Sequence, residues 1–366
     1  MVLKKISNFF KDRTIIGLDI GTESIKMVEV MRMDDGSYEL LTYGVARHSI
    51  DLSEYWDSSK LRQISIIVED ILNTADFKGV KTVMSVQSKD VYVTTMDFES
   101  SWTKPRIQDE ITQQAPYFLP YPPDEMRLSW TFVDEDSKIV DYTGKQRVII
   151  NALPDFVIEN SKNLLEHVNL DGAALENQTV SQIRASLTPD KGNTVLMDIG
   201  GQFTTFSIVV DGILRSSSHV NFGTDKIQAD LIESLGVDMI TAETFKRDMG
   251  LVNLYFLPPQ IVETLSILKS ELKTFVELNK KVAQTPQKVI VNGGGVLTVG
   301  FMEYFKNFEI PVYEANNFRK IKVSDNLKPY VMPIASQLAT AVGLSLREEI
   351  GHKFFCVIIL EFVMLD

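Results

Sequence analysis

The chain has a single cysteine, Cys356, in 366 residues. No intramolecular disulfide can form, and a cysteine-rich zinc site is excluded. Histidine is scarce as well, with four in the chain, so no metal-ligating histidine cluster is expected and His352 reads as incidental. Positive charge is in deficit: 37 Lys and Arg stand against 49 Asp and Glu, a net charge of -12. A general nucleic-acid binder needs surplus cations to displace counterions from phosphates, so that class is excluded. No apolar run reaches the ~20 residues that span a bilayer. The stretch from Met1 to Asp12 has no apolar core of signal-peptide length.

What is present alternates. Strand-like apolar runs and helix-period segments follow one another along the length, which predicts an α/β architecture. Ile15 to Ile20 is a short apolar run, and Ile25 to Met31 continues with strand alternation. Leu61 to Ala75 repeats apolar residues at helical spacing. Thr82 to Val86, Val91 to Met96, Leu128 to Val133 and Arg147 to Leu153 read as strands, and Phe156 to Val168 as a helix. The proline-rich stretch Pro116 to Pro123 cannot be continuous helix. Leu3, Ile6, Phe9 and Phe10, with Lys4, Lys5 and Lys11 between them, suit either a membrane-surface foot or a helix packed on protein.

The opening pattern then recurs. Val195 to Ile199 is an apolar run containing Asp198 and leading into Gly200 and Gly201, and Thr204 to Val210 follows as a strand. Asp211-Gly212 signals a hairpin turn before Ile213 and Leu214. Asp19-Ile20-Gly21-Thr22 and Asp198-Ile199-Gly200-Gly201 each close one strand and open another. A duplicated hairpin predicts two similar halves facing across a cleft.

Such a hairpin suits a nucleoside triphosphate. Phosphates need backbone N–H groups at close range, and glycine removes the side chain in the way. A neighbouring hydroxyl adds a donor, and an aspartate at the strand end holds magnesium through waters, because that ion dehydrates reluctantly. The first hairpin offers Asp19, Gly21, Thr22, Ser24 and the cation Lys26. The second offers Asp198, Gly200, Gly201, Thr204 and Thr205. Lys26 is either a phosphate cation or a structural lysine, and one strand-Asp-x-Gly is most often only a turn. Two copies, plus Val289 to Asn292 ending in Gly293, Gly294 and Gly295, form a far more specific set, since such a turn lets a flat base lie on bare backbone.

The order of these three motifs resembles the phosphate 1, phosphate 2 and adenosine motifs of the actin-like ATPase superfamily. Within it, the run from Ile16 to Glu29, with the leader Leu3 to Phe10, is similar to the opening of the PilM family of type IV pilus assembly proteins, to which FtsA is related. The similarity covers roughly residues 3 to 347. It implies two duplicated ribonuclease-H-like halves around a nucleotide cleft, with an inserted 1C-type subdomain. The implied segments are 1–13 at the N-terminus; 14–80 and 170–190 for the first half, with the small-residue helix Ile334 to Leu346 returning to it within 334–347; 81–169 for the insert; 191–333 for the second half; and 348–366 as an atypical apolar tail. The tail suits a membrane or partner contact, or an artefact of the reading frame.

The same resemblance implies ATP and Mg2+ as cofactors, with Asp19 and Asp198 at the metal. Glu243 and Lys246 match its Glu-x-x-Lys ribose helix, with a plain i, i+3 surface pair as the ordinary alternative. Phe222-Gly223-Thr224-Asp225 stands where relatives pair two glycines. Gln178 and Glu176 stand where relatives orient the attacking water, which implies slow hydrolysis at most. The implied partner is the N-terminal cytoplasmic peptide of a PilN-like membrane protein, with other pilus assembly components, at the cytoplasmic face of the inner membrane. Pro116, Pro120, Pro122 and Pro123 with Tyr117, Phe118 and Tyr121 suit peptide contact or packing of the insert itself. An FtsA-like self-polymerising filament protein, and less so a small-metabolite kinase, are the rival readings. No Asp-based general-base motif for a kinase is seen.

Overall fold

The computed structural model describes residues 13–52, 55–132, 144–188, 192–248, 250–251, 257–280 and 285–347. The expected N-terminal foot and the apolar tail lie outside them.

Three strands open the chain: β1 (Thr14–Ile20), β2 (Ser24–Arg32) and β3 (Tyr38–Arg47). Ile16, Leu18, Ile25 and Met27 on one face and Val28 and Val30 on the other are buried, so the hairpin is covered on each face. Helix α1 (Ser58–Thr74) starts at Asp57, whose carboxylate accepts the Lys60 N–H at 2.7 Å. Its Ile64, Val68 and Ile71 form one stripe against the sheet. Strand β4 (Lys81–Val86) follows. The chain then leaves through β5 (Tyr92–Glu99), α2 (Lys104–Phe118), β6 (Met126–Phe132) and β7 (Lys145–Pro154). It returns through α3 (Asp155–His167), β8 (Asp171–Asn177) and α4 (Gln178–Ser186).

The second half repeats the plan with β9 (Asn193–Ile199), β10 (Thr204–Val210) and β11 (Ile213–Val220). Helices α5 (Thr224–Leu235), α6 (Met239–Asp248) and α7 (Pro259–Leu278) follow, then β12 (Lys288–Asn292), the short α8 (Phe301–Tyr304) and β13 (Val312–Glu314). A return segment carries β14 (Ile321–Lys322), α9 (Lys328–Val331) and α10 (Ala339–Ser345).

The two large sheets are copies. One runs β14-β3-β2-β1-β4-β8 and the other β11-β10-β9-β12-β13. In each, the first three strands pair antiparallel and the next two add in parallel. The copying reaches single residues. Asp19 and Asp198 stand 179 positions apart, and the register slips after Glu29 in one hairpin and after Ile208 in the other, again 179 apart. A bulge repeated at one site shapes both hairpins alike.

Three boundaries move from their expected places. Strand β4 is hydrogen-bonded inside the six-stranded sheet, and Leu164 and Leu165 of α3 pack into the first core. The excursion is therefore β5 to β7, a three-stranded sheet ordered β5-β7-β6 over its own core of Phe98, Ile107, Ile111, Val148 and Ile150. The second half ends with β13, because β14 pairs with β3 and Phe318, Ile321 and Val331 pack on Val28, Val30 and Leu40. Lastly, the helix expected over Ile334 to Leu346 begins only at Ala339. The Ser336 carbonyl accepts the Gly293 N–H at 3.0 Å, and the stretch before it is built from i, i+3 bonds around Pro333. Pro116 sits inside the last turn of α2, and the chain leaves the helix at Leu119.

Helix α10 packs on β1, β2 and β4 of the first sheet and against α4. A Cβ on Gly343 would stand 1.8 Å from the Ser181 carbonyl oxygen of α4, so only glycine permits this crossing.

Candidate functional site

Each hairpin closes its turn with the same bond. Gly21 N–H donates to the Ser24 carbonyl at 3.0 Å, and Gly200 N–H donates to the Phe203 carbonyl at 2.9 Å. The two turns face one another across a cleft of about 320 Å³, at the small end of the ~300–1,000 Å³ typical of ligand sites. Its walls include Asp19, Gly21, Thr22, Ser24 and Lys26 from the first hairpin and Asp198, Gly200 and Gly201 from the second. Gln178, Glu243, Lys246, Gly293 and Gly294 complete the expected residues that line it, and Thr224 lines it too.

Asp19 is the best-held group in the cleft. Its Oδ1 accepts from Ser85 Oγ at 2.8 Å and from Gln178 Nε2 at 3.0 Å, and its Oδ2 accepts from Lys26 Nζ at 3.1 Å. Among the described residues Asp198 has no ion-pair partner. Its Oδ2 accepts from Gln182 Nε2 at 2.8 Å, and that amide also donates to Thr340 Oγ1 at 3.0 Å. Burial raises the Asp198 carboxyl above its ordinary range; the Gln182 bond and Lys26 oppose the rise, and the charge on Asp19 adds to it. Two carboxylates therefore share one lysine, a donor set that a dication held through waters would complete. Among the described residues no group of three or more His, Cys, Asp or Glu is placed to hold a metal alone.

Gly293 opens the glycine turn at φ +93°, where a Cβ would stand 2.3 Å from the Ile199 carbonyl oxygen. This ties the glycine turn to the end of β9, beside Asp198. On the opposite lip, Glu243 pairs with Lys246 at 2.8 Å and with Arg47 of β3 at 2.6 Å. Burial works against the Glu243 charge, but the bonds from Lys246 and Arg47 outweigh it and hold the carboxyl below its ordinary range. Glu23 also reaches across, lying against Gly201. Burial, then a hydrogen bond and like charge with Asp225, raises Glu23 from 4.5 to about 7.

Three expected site residues lie elsewhere. Glu176 is fully buried, 2.7 Å from Arg184 and 3.3 Å from Arg347, and is not part of the cleft wall. The chain turns from strand to helix at Gln178, so residues 176 and 178 part company. Thr204 is buried, its hydroxyl donating to the Phe222 carbonyl at 2.8 Å. Alternation along β10 puts Thr205 in the cleft instead, cross-strand from Asp198. Gly295 backs onto Ile199 and Thr224, behind the wall that Gly293 and Gly294 form.

Residues that sequence reading passed over include Gln182, Arg47, Glu23, Ser85 and His48. Gln182 and Glu23 had local signals, the first one helical turn after Gln178 and the second inside the first turn itself. Arg47, Ser85 and His48 arrive through tertiary packing.

The sequence profile of the family described as type IV pilus assembly protein PilM matches residues 17–349. A cell division protein FtsA from Buchnera aphidicola subsp. Baizongia pistaciae (strain Bp) is 22% identical over 405 residues, covering 94% of this chain and 92% of the relative. Among solved structures, a PilM-PilN type IV pilus biogenesis complex superposes with a TM-score of 0.78 at 18% identity, covering 91% of this chain and 98% of the other. The ethanolamine utilization protein EutJ from Carboxydothermus hydrogenoformans superposes with a TM-score of 0.55 at 14% identity, covering 91% and 89%. The shared fold is the actin-like one.

Proposed function

Since the chain belongs to the PilM family of type IV pilus assembly proteins, we propose that its cleft binds ATP with magnesium and that the loaded protein is a scaffold for a PilN-like membrane protein. The observation that carries this reading is the convergence of both hairpins and the glycine turn on one cleft. Backbone N–H groups of the two turns take the phosphates, Lys26 supplies a charge, and Gly293 and Gly294 offer a flat wall for the base. Glu243 and Lys246 hold the ribose. Asp19 and Asp198 hold magnesium through waters, which neutralises phosphate charge.

Gln178 is the water-orienting residue in this reading. Its Nε2 is spent on Asp19, so its Oε1 is the acceptor for a water proton. Glu176, the carboxylate expected beside it, is buried in its ion pairs, which favours tight binding with slow turnover. The peptide partner docks on the excursion that holds the three-stranded sheet. Tyr117 is 89% exposed there, while Phe118 stacks on Tyr92 at 6.1 Å and Tyr121 meets Phe156 edge-on at 6.3 Å. The packed rings thus serve the subdomain and Tyr117 serves the peptide. Among the described residues no helix is long and apolar enough to cross a membrane, so membrane association at the cytoplasmic face runs through the partner.

Titration calorimetry with ATP and MgCl2, then capture on an immobilised N-terminal peptide of a PilN-like protein, tests both halves. Nucleotide-dependent peptide capture is the expected result. A folded preparation that takes up no adenine nucleotide at any magnesium level overturns the cleft assignment. The FtsA likeness favours a second reading, an ATP-dependent filament. Sedimentation of the protein with ATP and no peptide would support it.

A further inference from the structure

The two turns hold their first carbonyl by different means. In the second hairpin the Gly200 carbonyl accepts the Thr224 N–H at 3.0 Å, and the Gly201 carbonyl accepts the Asp225 N–H at 2.9 Å. Both donors are backbone groups at the start of α5. Among the described residues no helix N–H reaches the first turn's carbonyls. Its Gly21 carbonyl lies 2.9 Å from His48 Nε2, and the His48 backbone N–H donates to the Glu23 carbonyl at 2.9 Å. One residue just past β3 therefore grips both ends of the turn tip.

The ring's tautomer follows from its neighbours. The Ile50 N–H donates to His48 Nδ1 at 3.2 Å, so Nδ1 is an acceptor. Nε2 must then carry the proton that it gives to the Gly21 carbonyl. An imidazolium would set an Nδ1–H against the Ile50 N–H, donor against donor. With the carbonyls of Gly21 and Glu23 tied back, the N–H groups of Thr22 and Glu23 have no hydrogen bond among the described residues. Those are the donors that an anion in the cleft would use.

We infer that His48, in its neutral Nε2–H form, is the positioning residue that shapes the first turn for phosphate, a part played in the second turn by the main chain of α5. The inference rests on the reading of the cleft as a nucleotide site. It makes the first turn sensitive to acid and leaves the second insensitive. Burial disfavours the imidazolium, the Gly21 carbonyl opposes that, and Lys26 works with the burial. The other charged groups near the turn are Glu23, Arg47 and Asp19, the last already paired with Lys26.

The test uses the full chain in a Glu23→Gln background, which removes the other group of this turn that titrates near neutrality. Kd for Mg-ATP is measured from pH 5.5 to 8 with His48 intact, His48→Gln and His48→Ala. Alanine weakens binding roughly tenfold at pH 8, as loss of a bond to a half-buried carbonyl predicts. Glutamine keeps an N–H donor, so it stays within about threefold and shrinks the acid limb that histidine shows to the share of Asp198, whose carboxyl is also raised. Equal Kd values for histidine and alanine, or an acid limb as large in the glutamine variant as with histidine, overturn the inference. Nitrogen NMR of the His48 ring must show the Nε2–H tautomer; an Nδ1–H ring sinks it. Should no nucleotide bind at all, the cleft reading fails separately. The claim about the turn is then decided by amide exchange at Thr22 and Glu23: faster exchange in His48→Ala upholds it, and unchanged exchange overturns it.

Discussion

At positions 179 apart, the first hairpin carries Glu23, Ser24 and Lys26 where the second carries Gln202, Phe203 and Thr205. Strand order, bulge and turn bond are shared. The charges are not. Asp19 is wrapped by a lysine, a serine and an amide, while Asp198 has one amide from Gln182 and a neighbour of like charge. Backbone geometry survives duplication because it depends on pairing and packing. Side-chain chemistry is free to diverge, and here it leaves a turn with a cation opposite a turn without one.

That asymmetry predicts opposite signs. Asp19→Asn removes the partner of a Lys26 whose side chain is 12% exposed, so thermal denaturation should show a loss of roughly 2–4 kcal/mol. An unchanged or raised midpoint would mean the lysine is solvated. Lys26→Ala should weaken Mg-ATP binding ~10- to 100-fold, the scale of a charged hydrogen bond, while Thr205→Ala costs less than about threefold. Calorimetry on the pair measures the contrast, and equal losses would erase it. Asp198→Asn should stabilise the nucleotide-free protein by about 1 kcal/mol, since it relieves a buried charge that burial and Asp19 both disfavour. A loss of stability there would show that the carboxylate is needed without any cation.

Glu23 gives a smaller, pH-dependent effect. Its carboxyl is raised from 4.5 to about 7 in the folded protein, by burial first and then by Asp225. The folded state keeps a proton that the unfolded chain releases above pH 4.5. Its stabilising contribution is complete below pH 4.5 and is lost as pH rises through 7. Glu23→Gln makes this position like Gln202 and should flatten that part of the melting profile. A variant whose midpoint tracks the parent between pH 4.5 and 7 would assign the slope to another group.

The sequence made some of this site legible and hid the rest for a physical reason. Strand-Asp-x-Gly strings, the glycine run and the Glu243/Lys246 spacing are local patterns, and local patterns fix which backbone turns where. They do not say which way a strand faces once the chain bends. The string offers Thr204 and Thr205 alike although alternation turns only Thr205 to the cleft, and it sets Glu176 beside Gln178 although a strand-to-helix turn separates them. Groups delivered from afar, such as Ser85, Arg47 and His48, leave no trace in the string around the hairpin. Segment borders slipped likewise, because β14 shows its membership only by pairing with β3.

The Ser336 carbonyl serves Gly293, on the far side of the cleft floor, and not Thr340, the residue four further along its own chain. Pulling the lobes apart would release that oxygen and let α10 wind backwards by a turn. Separation would then be coupled to coiling, as in a screw. A fluorophore reporting local helicity near residue 337 would register the movement without any probe in the nucleotide pocket.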